Sequence, residues 1–148
     1  MKGVYKYIML KELKLIIQFY QGDITLDGLI NLKKEVLQDK SYNSDYGLLG
    51  DFRLSNILLN MDEVEEYGNW LKKNSIRNNL NIIITSTPHQ TVKTVIFGLN
   101  KKLINYHFET CSTLEHSLKH LNVELKNLKK VETEIEKMIV LSKINTFF

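Results

Sequence analysis

The spacing of hydrophobic residues along this chain switches repeatedly between the period of a strand and that of a helix. Val4 to Leu10 and Leu13 to Phe19 are rich in β-branched and aromatic residues, and only the pair Lys11-Glu12 separates them. This predicts two strands joined by a tight turn. Thr25 then has the chemistry of a helix N-cap. The apolar residues that follow on one face of this helix are Leu29, Ile30, Val36 and Leu37.

A third strand is predicted over Tyr46 to Phe52, and a fourth over Leu80 to Thr85. Between them, Asn60 and Glu63 have the spacing of a capping box, which predicts a helix from about Met61. The fourth strand holds three consecutive isoleucines and is apolar on both faces, as expected where helices cover a strand on each side. We therefore expect this strand to be the centre of the sheet.

The pattern continues with one more helix and strand. Thr87 followed by Pro88 predicts a cap with proline at the first helical position, where its missing N–H costs nothing. Ile104 to Thr110 is the last predicted strand, and Ser112 with Glu115 forms a capping box for a final helix. The buried stripe of the helix after Pro88 is expected to be Val92, Val95, Ile96 and Leu99. The predicted order is β-β-α-β-α-β-α-β-α, an α/β fold with a mixed sheet.

The carboxyl-terminal segment has a heptad-like apolar seam that a minimal α/β domain does not require. An unbroken helix from Thr113 to Ser142 would be on the order of 45 Å long. We therefore divide the chain into an α/β domain, 1–122, and an amphipathic tail, 123–148. The candidates to cover the seam are a twin helix in a homodimer, the chain's own body after a break near Asn122, and another protein. The seam residues that lie in the tail include Leu125, Leu128, Ile135 and Ile139.

Composition indicates one ordinary globular domain. The 148 residues are 43% hydrophobic and 25% charged, with a net charge of +3 that is too small and too dispersed to indicate nucleic acid. The single cysteine, Cys111, fits a reducing cytoplasm. Charged residues interrupt the apolar amino-terminal stretch, so we expect no signal peptide and no membrane span.

The predicted order and some local sequences resemble the STAS domain family, in particular its standalone bacterial SpoIIAA-like branch. The resemblance covers about Tyr5 to Leu121. It rests on Gly22-Asp23-Ile24 before a helix, on the Leu48 to Arg53 strand with its acid, and on the strand-helix units that follow. The resemblance implies a STAS-like mixed sheet with helices and a non-catalytic, regulatory role through protein partners.

In signalling members of that family, a serine just after the aspartate of the central strand is phosphorylated and controls binding to a partner kinase. Here Phe52 and Arg53 follow Asp51, and the nearest hydroxyl, Ser55, is out of register. The resemblance therefore implies the fold without the phospho-switch. We expect no kinase to act on this loop.

Candidate ligand-binding or partner-binding residues cluster after the predicted third and fourth strands, at the edge where α/β proteins place their sites. Asp51 and Arg53 either recognise a charged ligand or simply pair with each other. Thr87 and His89 lie at a helix start that favours anions, although capping alone also explains Thr87. The full set is Asp51, Phe52, Arg53, Ser55, Thr87 and His89.

His116 and His120 are spaced i, i+4 on the last helix, as metal-ligating histidines often are. Zinc needs a further protein ligand, and Ser117 stands where a His-Glu-x-x-His motif has its glutamate. The sequence therefore predicts a solvated helix face and no metal. It indicates no cofactor either, because the chain has no phosphate-binding glycine loop.

Three functions remain open. The first is a cytoplasmic, non-catalytic STAS-like binding or regulatory module that is homo-oligomeric or binds a protein partner, without nucleic acid or stable membrane insertion. The second is a carrier or sensor of a small apolar, lipid-like ligand in a pocket between helix and sheet. The third is a small enzyme using Asp51, His89 or Cys111.

Overall fold

A computed structural model describes residues 1–76, 78–99 and 107–146 of the chain. The strands are β1 (Val4–Leu10), β2 (Leu15–Ile24), β3 (Gly47–Ile57), β4 (Asn81–Ile84) and β5 (Phe108–Cys111). The helices are α1 (Leu26–Gln38), α2 (Met61–Lys73), α3 (Pro88–Leu99), α4 (Leu114–His120) and α5 (Leu128–Thr146). The predicted order is confirmed, with an additional helix because the last predicted helix is divided in two.

The strands form one sheet in the order β1-β2-β3-β4-β5. β1 is antiparallel to β2, and the other neighbours are parallel, so the sheet is mixed as predicted. The expectation that Leu80 to Thr85 lies at the centre is wrong, because β5 pairs outside β4 and leaves β3 in the middle. Burial of β4 on both faces is confirmed: Ile82 and Ile84 are fully buried on one face, and Ile83 is 8% exposed on the other.

Side-chain caps fix the starts of the first two helices as the sequence predicts. The Thr25 hydroxyl accepts a hydrogen bond from the Gly28 N–H at 3.3 Å. Asn60 and Glu63 each accept from the other's backbone N–H, at 2.8 and 3.1 Å, which completes the predicted capping box. These caps satisfy N–H groups that have no partner inside a helix.

β3 is longer than the sequence predicts. The expected end near Phe52 is wrong, because the ten-residue β2 offers backbone partners as far as Ile24, which lies opposite Ile57. Between the pairs Phe19–Asp51 and Gln21–Leu54, two residues of β3 oppose one of β2. This is the geometry of a β-bulge, which re-aims side chains within a strand. The bulge lies within the candidate site predicted from sequence.

Helices cover the two faces of the sheet unequally. Residues of α1 and α2 pack on one face with Tyr20, Phe52 and Ile83, and Phe97 of α3 packs beside them. α4 and α5 pack on the other face, against strand residues that include Ile17 and Leu49. Each face therefore has its own hydrophobic core. None of the helices in the described ranges is both long and apolar enough to cross a membrane.

The predicted buried stripe of α3 is wrong. Its buried residues are Gln90 and Thr94. The helix is rotated because the Gln90 side-chain amide donates to the backbone carbonyls of Arg53 and Ser55, at 3.3 and 2.8 Å. The exposed fractions of Val92, Val95, Ile96 and Leu99 are 56%, 40%, 37% and 76%.

The chain between β4 and α4 departs from the prediction at two places. The described part of the last strand is Phe108–Cys111, and residues 104–106 of the predicted strand lie outside the described residues. The predicted cap Ser112 is wrong by one residue, because β5 runs on through Cys111. Thr113 caps α4 instead and accepts from the His116 N–H at 3.1 Å.

The carboxyl-terminal helix is broken and folds back on the sheet. Asn122 adopts a left-handed backbone conformation with φ of 60° between α4 and α5, which ends the first helix. Of the three alternatives for the seam, the chain's own body is the cover the structure shows. Val131, Ile135 and Met138 are buried in the same core as β2, β3 and β4.

The tail residues expected to form an oligomer contact have unequal environments. Ile135 is 3% exposed, whereas Leu125 is 39% exposed. Leu128 and Ile139 are partly buried against the core beneath α5. Most of this apolar seam is therefore engaged within its own chain.

Candidate functional site

A cavity of about 110 Å³ lies between the sheet and the helices α1, α2 and α3. Its walls are mainly apolar, with Leu29 from α1, Tyr67 from α2 and Phe97 from α3 facing Phe52 and Ile83 of the sheet. An apolar cavity with few polar groups is the usual form of a small-molecule site. The polar side chains in the lining are Gln18, Lys33, Asn78, Asn81, Lys93 and Thr94, together with the hydroxyls of Tyr20 and Tyr67.

Lys33 is the unusual member of this lining, because a lysine is 6% exposed in an apolar environment. Its ammonium donates a hydrogen bond of 2.8 Å to Oε1 of Gln18, whose amide in turn donates to the Tyr20 hydroxyl. Burial lowers the pKa of Lys33 to about 8. The group is therefore charged for the most part at pH 7, although charging it inside the protein is costly.

No carboxylate within the described ranges pairs with Lys33, and its ammonium donates to the neutral amide of Gln18. An ammonium has three N–H donors, and an uncompensated buried charge is among the costliest groups a fold can contain. The desolvated ammonium of Lys33 therefore has N–H donors that Gln18 does not use, and it borders an apolar space. An anionic ligand group is the chemical partner that such a site lacks.

Aromatic rings form the rest of the cavity wall. Tyr20 and Phe52 stack with centroids 4.0 Å apart, on the face that the alternation of side chains along β3 gives to Phe52. Tyr67 and Phe97 are stacked at 5.6 Å. Burial raises the pKa of Tyr20 well above its ordinary value, so its hydroxyl is neutral beside Lys33. Lys93, the second ammonium of the lining, donates to the Leu59 carbonyl.

The alternation of side chains along β3 divides the predicted site between the two faces of the sheet. Phe52 lines the cavity, whereas Asp51 and Arg53 face α5 and border an open cleft of about 500 Å³ that also includes Glu132. Arg53 binds Asp51 through two side-chain bonds of 2.9 and 2.7 Å, and hydrogen bonding to Asp51 raises the pKa of Arg53. Asp51 is 3% exposed, so the two charges neutralise each other within the chain.

The remaining predicted residues have partners in the chain. Ser55 is buried and its hydroxyl donates to the Phe52 carbonyl at 2.7 Å. The Thr87 hydroxyl accepts from the Gln90 N–H at 3.2 Å and caps α3. A ring nitrogen of His89 lies 3.3 Å from the Ile57 carbonyl. None of these three side chains lines the cavity.

The structure keeps Asp51, His89 and Cys111 apart. Asp51 and Cys111 are level in the sheet but separated by β4, which places their backbones about 10 Å apart. Burial raises the pKa of the Cys111 thiol, the opposite of what an activated nucleophile requires. The three residues therefore form no common reaction centre.

Sequence reasoning missed several residues that the structure makes prominent. Lys33 lies one turn after Leu29 on the apolar face of α1, and Gln18 interrupts an otherwise apolar strand; both were visible as polar residues in hydrophobic patterns. Gln90 completes a capping box with Thr87, three residues apart. Cys111 approaches His116 and His120, so the third candidate ligand absent from the local motif comes from β5.

The comparisons with known proteins bear on the fold. No protein-family model and no curated protein sequence matches this chain. A solved structure that resembles it is the crystal structure of an uncharacterised protein of the DUF3478 family from Shewanella loihica PV-4, described as having a SpoIIAA-like fold. The match has a TM-score of 0.55 at 12% sequence identity and covers 80% of this chain and 93% of that one. The fold implied by the sequence resemblance is thus confirmed, and this chain has a SpoIIAA-like α/β fold.

Proposed function

We propose that this chain is a non-catalytic STAS-like binding module that holds a small organic acid in the cavity between α1, α2, α3 and the sheet. The observation that carries the proposal is Lys33, a buried ammonium with a pKa of about 8 whose hydrogen-bond partner is the neutral Gln18. A carboxylate would compensate this charge, and the aromatic and aliphatic walls would bury the rest of the ligand.

The cavity volume limits the size of the ligand. An engineered protein cavity of about 150 Å³ holds benzene, which has six heavy atoms, so a space of about 110 Å³ suits an apolar group of about four to five heavy atoms. A long acyl chain does not fit without movement of the helices. The ligand class proposed is therefore narrower than a lipid: a short-chain carboxylic acid such as pentanoate or hexanoate.

Titration with hexanoate tests this function. We expect saturable binding at pH 7, followed by NMR shifts of residues lining the cavity, and binding at least tenfold weaker for the neutral analogue hexanol, which cannot pair with Lys33. Lys33→Met should weaken hexanoate binding by about 10- to 100-fold, the range for a hydrogen bond to a charged group. Lys34→Met is the matched control, because this neighbouring lysine is exposed.

Equal affinity for hexanoate and hexanol, or equal losses in the two lysine variants, would refute the role of Lys33 in ligand binding. Absence of saturable binding of both hexanoate and pentanoate would refute the small-acid function itself.

Hexanoate affinity should also depend on pH. The carboxylate binds the protonated form of Lys33, and that form is lost as the pH rises through about 8. Of the other titratable groups in the lining, Tyr20 is held neutral by its raised pKa. We expect the dissociation constant to rise about tenfold per pH unit above pH 8. An affinity unchanged between pH 7 and pH 9.5 would show that the ligand does not contact this ammonium.

A second candidate function is self-association or protein binding through α3. Four large apolar side chains of this helix, from Val92 to Leu99, are at least 37% exposed. An exposed apolar patch of this kind is typical of an interaction surface.

We expect light scattering of the full-length chain to give a mass above that of the monomer, and Val95→Asp to reduce it to the monomer. Val140→Asp, which makes the same change at a 53% exposed valine of α5, is the control outside this surface. A monomeric wild-type chain would contradict self-association at this surface.

A further inference from the structure

The carboxyl end of β5 and the helix that follows it bring one thiol and two imidazoles together. Cys111 is the last residue of β5, and His116 and His120 lie one turn apart on α4. One potential ligand atom from each of the three side chains lies within 4.8 Å of the others. A site made of a thiolate and two imidazoles binds Zn²⁺ and Co²⁺ in preference to harder cations.

The outer nitrogens of the two imidazoles lie within hydrogen-bond distance of each other. Nε2 of His116 and Nε2 of His120 are 2.8 Å apart. On a tetrahedral zinc ion with Zn–N bonds of about 2.0 Å and a Zn–S bond of about 2.3 Å, neighbouring ligand atoms lie roughly 3.3 to 3.6 Å apart. Side-chain rotations that shift the ligand atoms by about 1 Å would therefore convert the observed arrangement into a ligand set without moving the backbone.

A contact between Glu109 and His120 also favours a cation site here. Nδ1 of His120 lies 2.6 Å from Oε2 of Glu109, two residues before Cys111 on β5. This contact places a proton on Nδ1 and leaves on Nε2 a lone pair that faces Nε2 of His116, where a cation would replace the hydrogen bond between the two rings. A carboxylate behind a ligating histidine is the usual outer-sphere partner in zinc sites, where it fixes the tautomer and the ring orientation.

The backbone that carries these side chains is held firmly. β5 pairs with β4 up to Cys111, and the Thr113 hydroxyl caps α4. Ser117, on the turn between the two histidines, is fully buried and donates to the Thr113 carbonyl at 2.8 Å. Cys111 is 7% exposed while His116 is exposed, so a cation would enter from the histidine side.

We propose that Cys111, His116 and His120 form a binding site for a borderline-soft divalent cation, Zn²⁺ by preference, with Glu109 as a positioning residue for His120. Binding forms one metal–sulfur and two metal–nitrogen bonds and releases the thiol proton to solvent. Water completes a tetrahedron in the fourth position. The site lies on the opposite face of the sheet from most of the organic-acid cavity, so this proposal is independent of that function.

Cobalt titration of the untagged, reduced, full-length protein tests the site. We expect one Co²⁺ per chain, with visible bands of tetrahedral cobalt and a near-ultraviolet thiolate-to-cobalt charge-transfer band. Added Zn²⁺ should abolish both signals at one equivalent. Cys111→Ser should remove the charge-transfer band, and His116→Ala, which changes an exposed side chain, should weaken cobalt binding at least 100-fold.

Two further variants separate ligation from general effects. Glu109→Gln should keep the charge-transfer band but weaken binding by about 10- to 100-fold, as expected for an outer-sphere partner. His89→Gln removes a histidine outside the cluster and should leave the titration unchanged. A titration without saturation at one equivalent, or a charge-transfer band that persists in Cys111→Ser, would overturn the proposal. So would equal weakening in His89→Gln and His116→Ala.

Discussion

Replacing Ile135 with Asp is expected to unfold the protein at 25 °C, whereas the same change at Val140 should leave thermal unfolding nearly unchanged. Ile135 is 3% exposed and packs in the core formed by α4, α5 and the sheet. An unpaired carboxylate there costs several kcal/mol, against a total stability of about 5 to 15 kcal/mol for a domain. Val140 lies on the same helix but is 53% exposed.

The matched pair isolates burial from other effects of the substitution. Both changes replace a β-branched residue with Asp in α5, so their intrinsic helix propensities change similarly. Circular dichroism melts of the two variants measure the difference. Equal melting temperatures would show that α5 does not cover the sheet. Light scattering of Val140→Asp adds a second readout: a loss of mass in this variant alone would indicate that α5 contributes its outer face to an oligomer.

The packing of α5 also changes the expectation for a shortened chain. The sequence alone suggests that the α/β units close before the tail. Deleting residues 124–148 would remove Val131, Ile135 and Met138, which are 0%, 3% and 5% exposed. Burial of three such side chains contributes on the order of 6 kcal/mol, which is comparable to the whole stability of a domain. We therefore expect the deletion to abolish cooperative unfolding.

Replacing Lys33 with Met is expected to stabilise the ligand-free protein while weakening the binding of organic acids. Burial lowers the pKa of Lys33 from 10.5 to about 8, which corresponds to a destabilisation of about 3 kcal/mol below pH 8. Methionine fills a similar volume without a charge. The loss of the partner of Gln18 offsets part of the gain, at about 1 to 2 kcal/mol. The net increase should raise the melting temperature by a few degrees at pH 7.

The difference in stability between the wild type and Lys33→Met changes with pH. Between about pH 8 and 10.5 the unfolded chain holds the proton that folded Lys33 has released, so wild-type stability rises with pH relative to Lys33→Met. Below pH 8 both states are protonated and the difference is constant. Urea unfolding at pH 7 and pH 10 measures this, with the exposed Lys34→Met as the control. A difference between wild type and Lys33→Met that does not change with pH would show that Lys33 is not desolvated.

A variant that gains stability and loses binding is informative about function. Buried charges without partners are selected against unless they serve a purpose, and the exchange of stability for activity is characteristic of binding sites. If Lys33→Met is stabilised but binds hexanoate as well as the wild type does, the ammonium has another role. The two measurements together therefore distinguish a ligand contact from a tolerated core lysine.

Local chemistry in the sequence is sufficient to predict the order of the elements. The Thr25 cap and the Asn60–Glu63 capping box act within a few residues, and both occur as predicted. The burial of the apolar run Ile82 to Ile84 follows from its composition. Its place in the sheet, next to the edge strand, depends instead on where β5 pairs. The SpoIIAA-like fold follows from the order of elements and is confirmed by the structural match.

Tertiary structure decided which residues meet. A bulge opposite Tyr20 shifts the register of β3 and places Ile57 on the same face of the sheet as Phe52, and no periodicity marks it in advance. Lys33 becomes a buried charge only when α2 and α3 close over α1, and Cys111 reaches the histidines because β5 ends beside α4. Helices and caps are determined by neighbours in sequence, while sites depend on side chains from separate elements. Their geometry is set by long-range pairing and packing, which the hydrophobic pattern of a single chain does not encode.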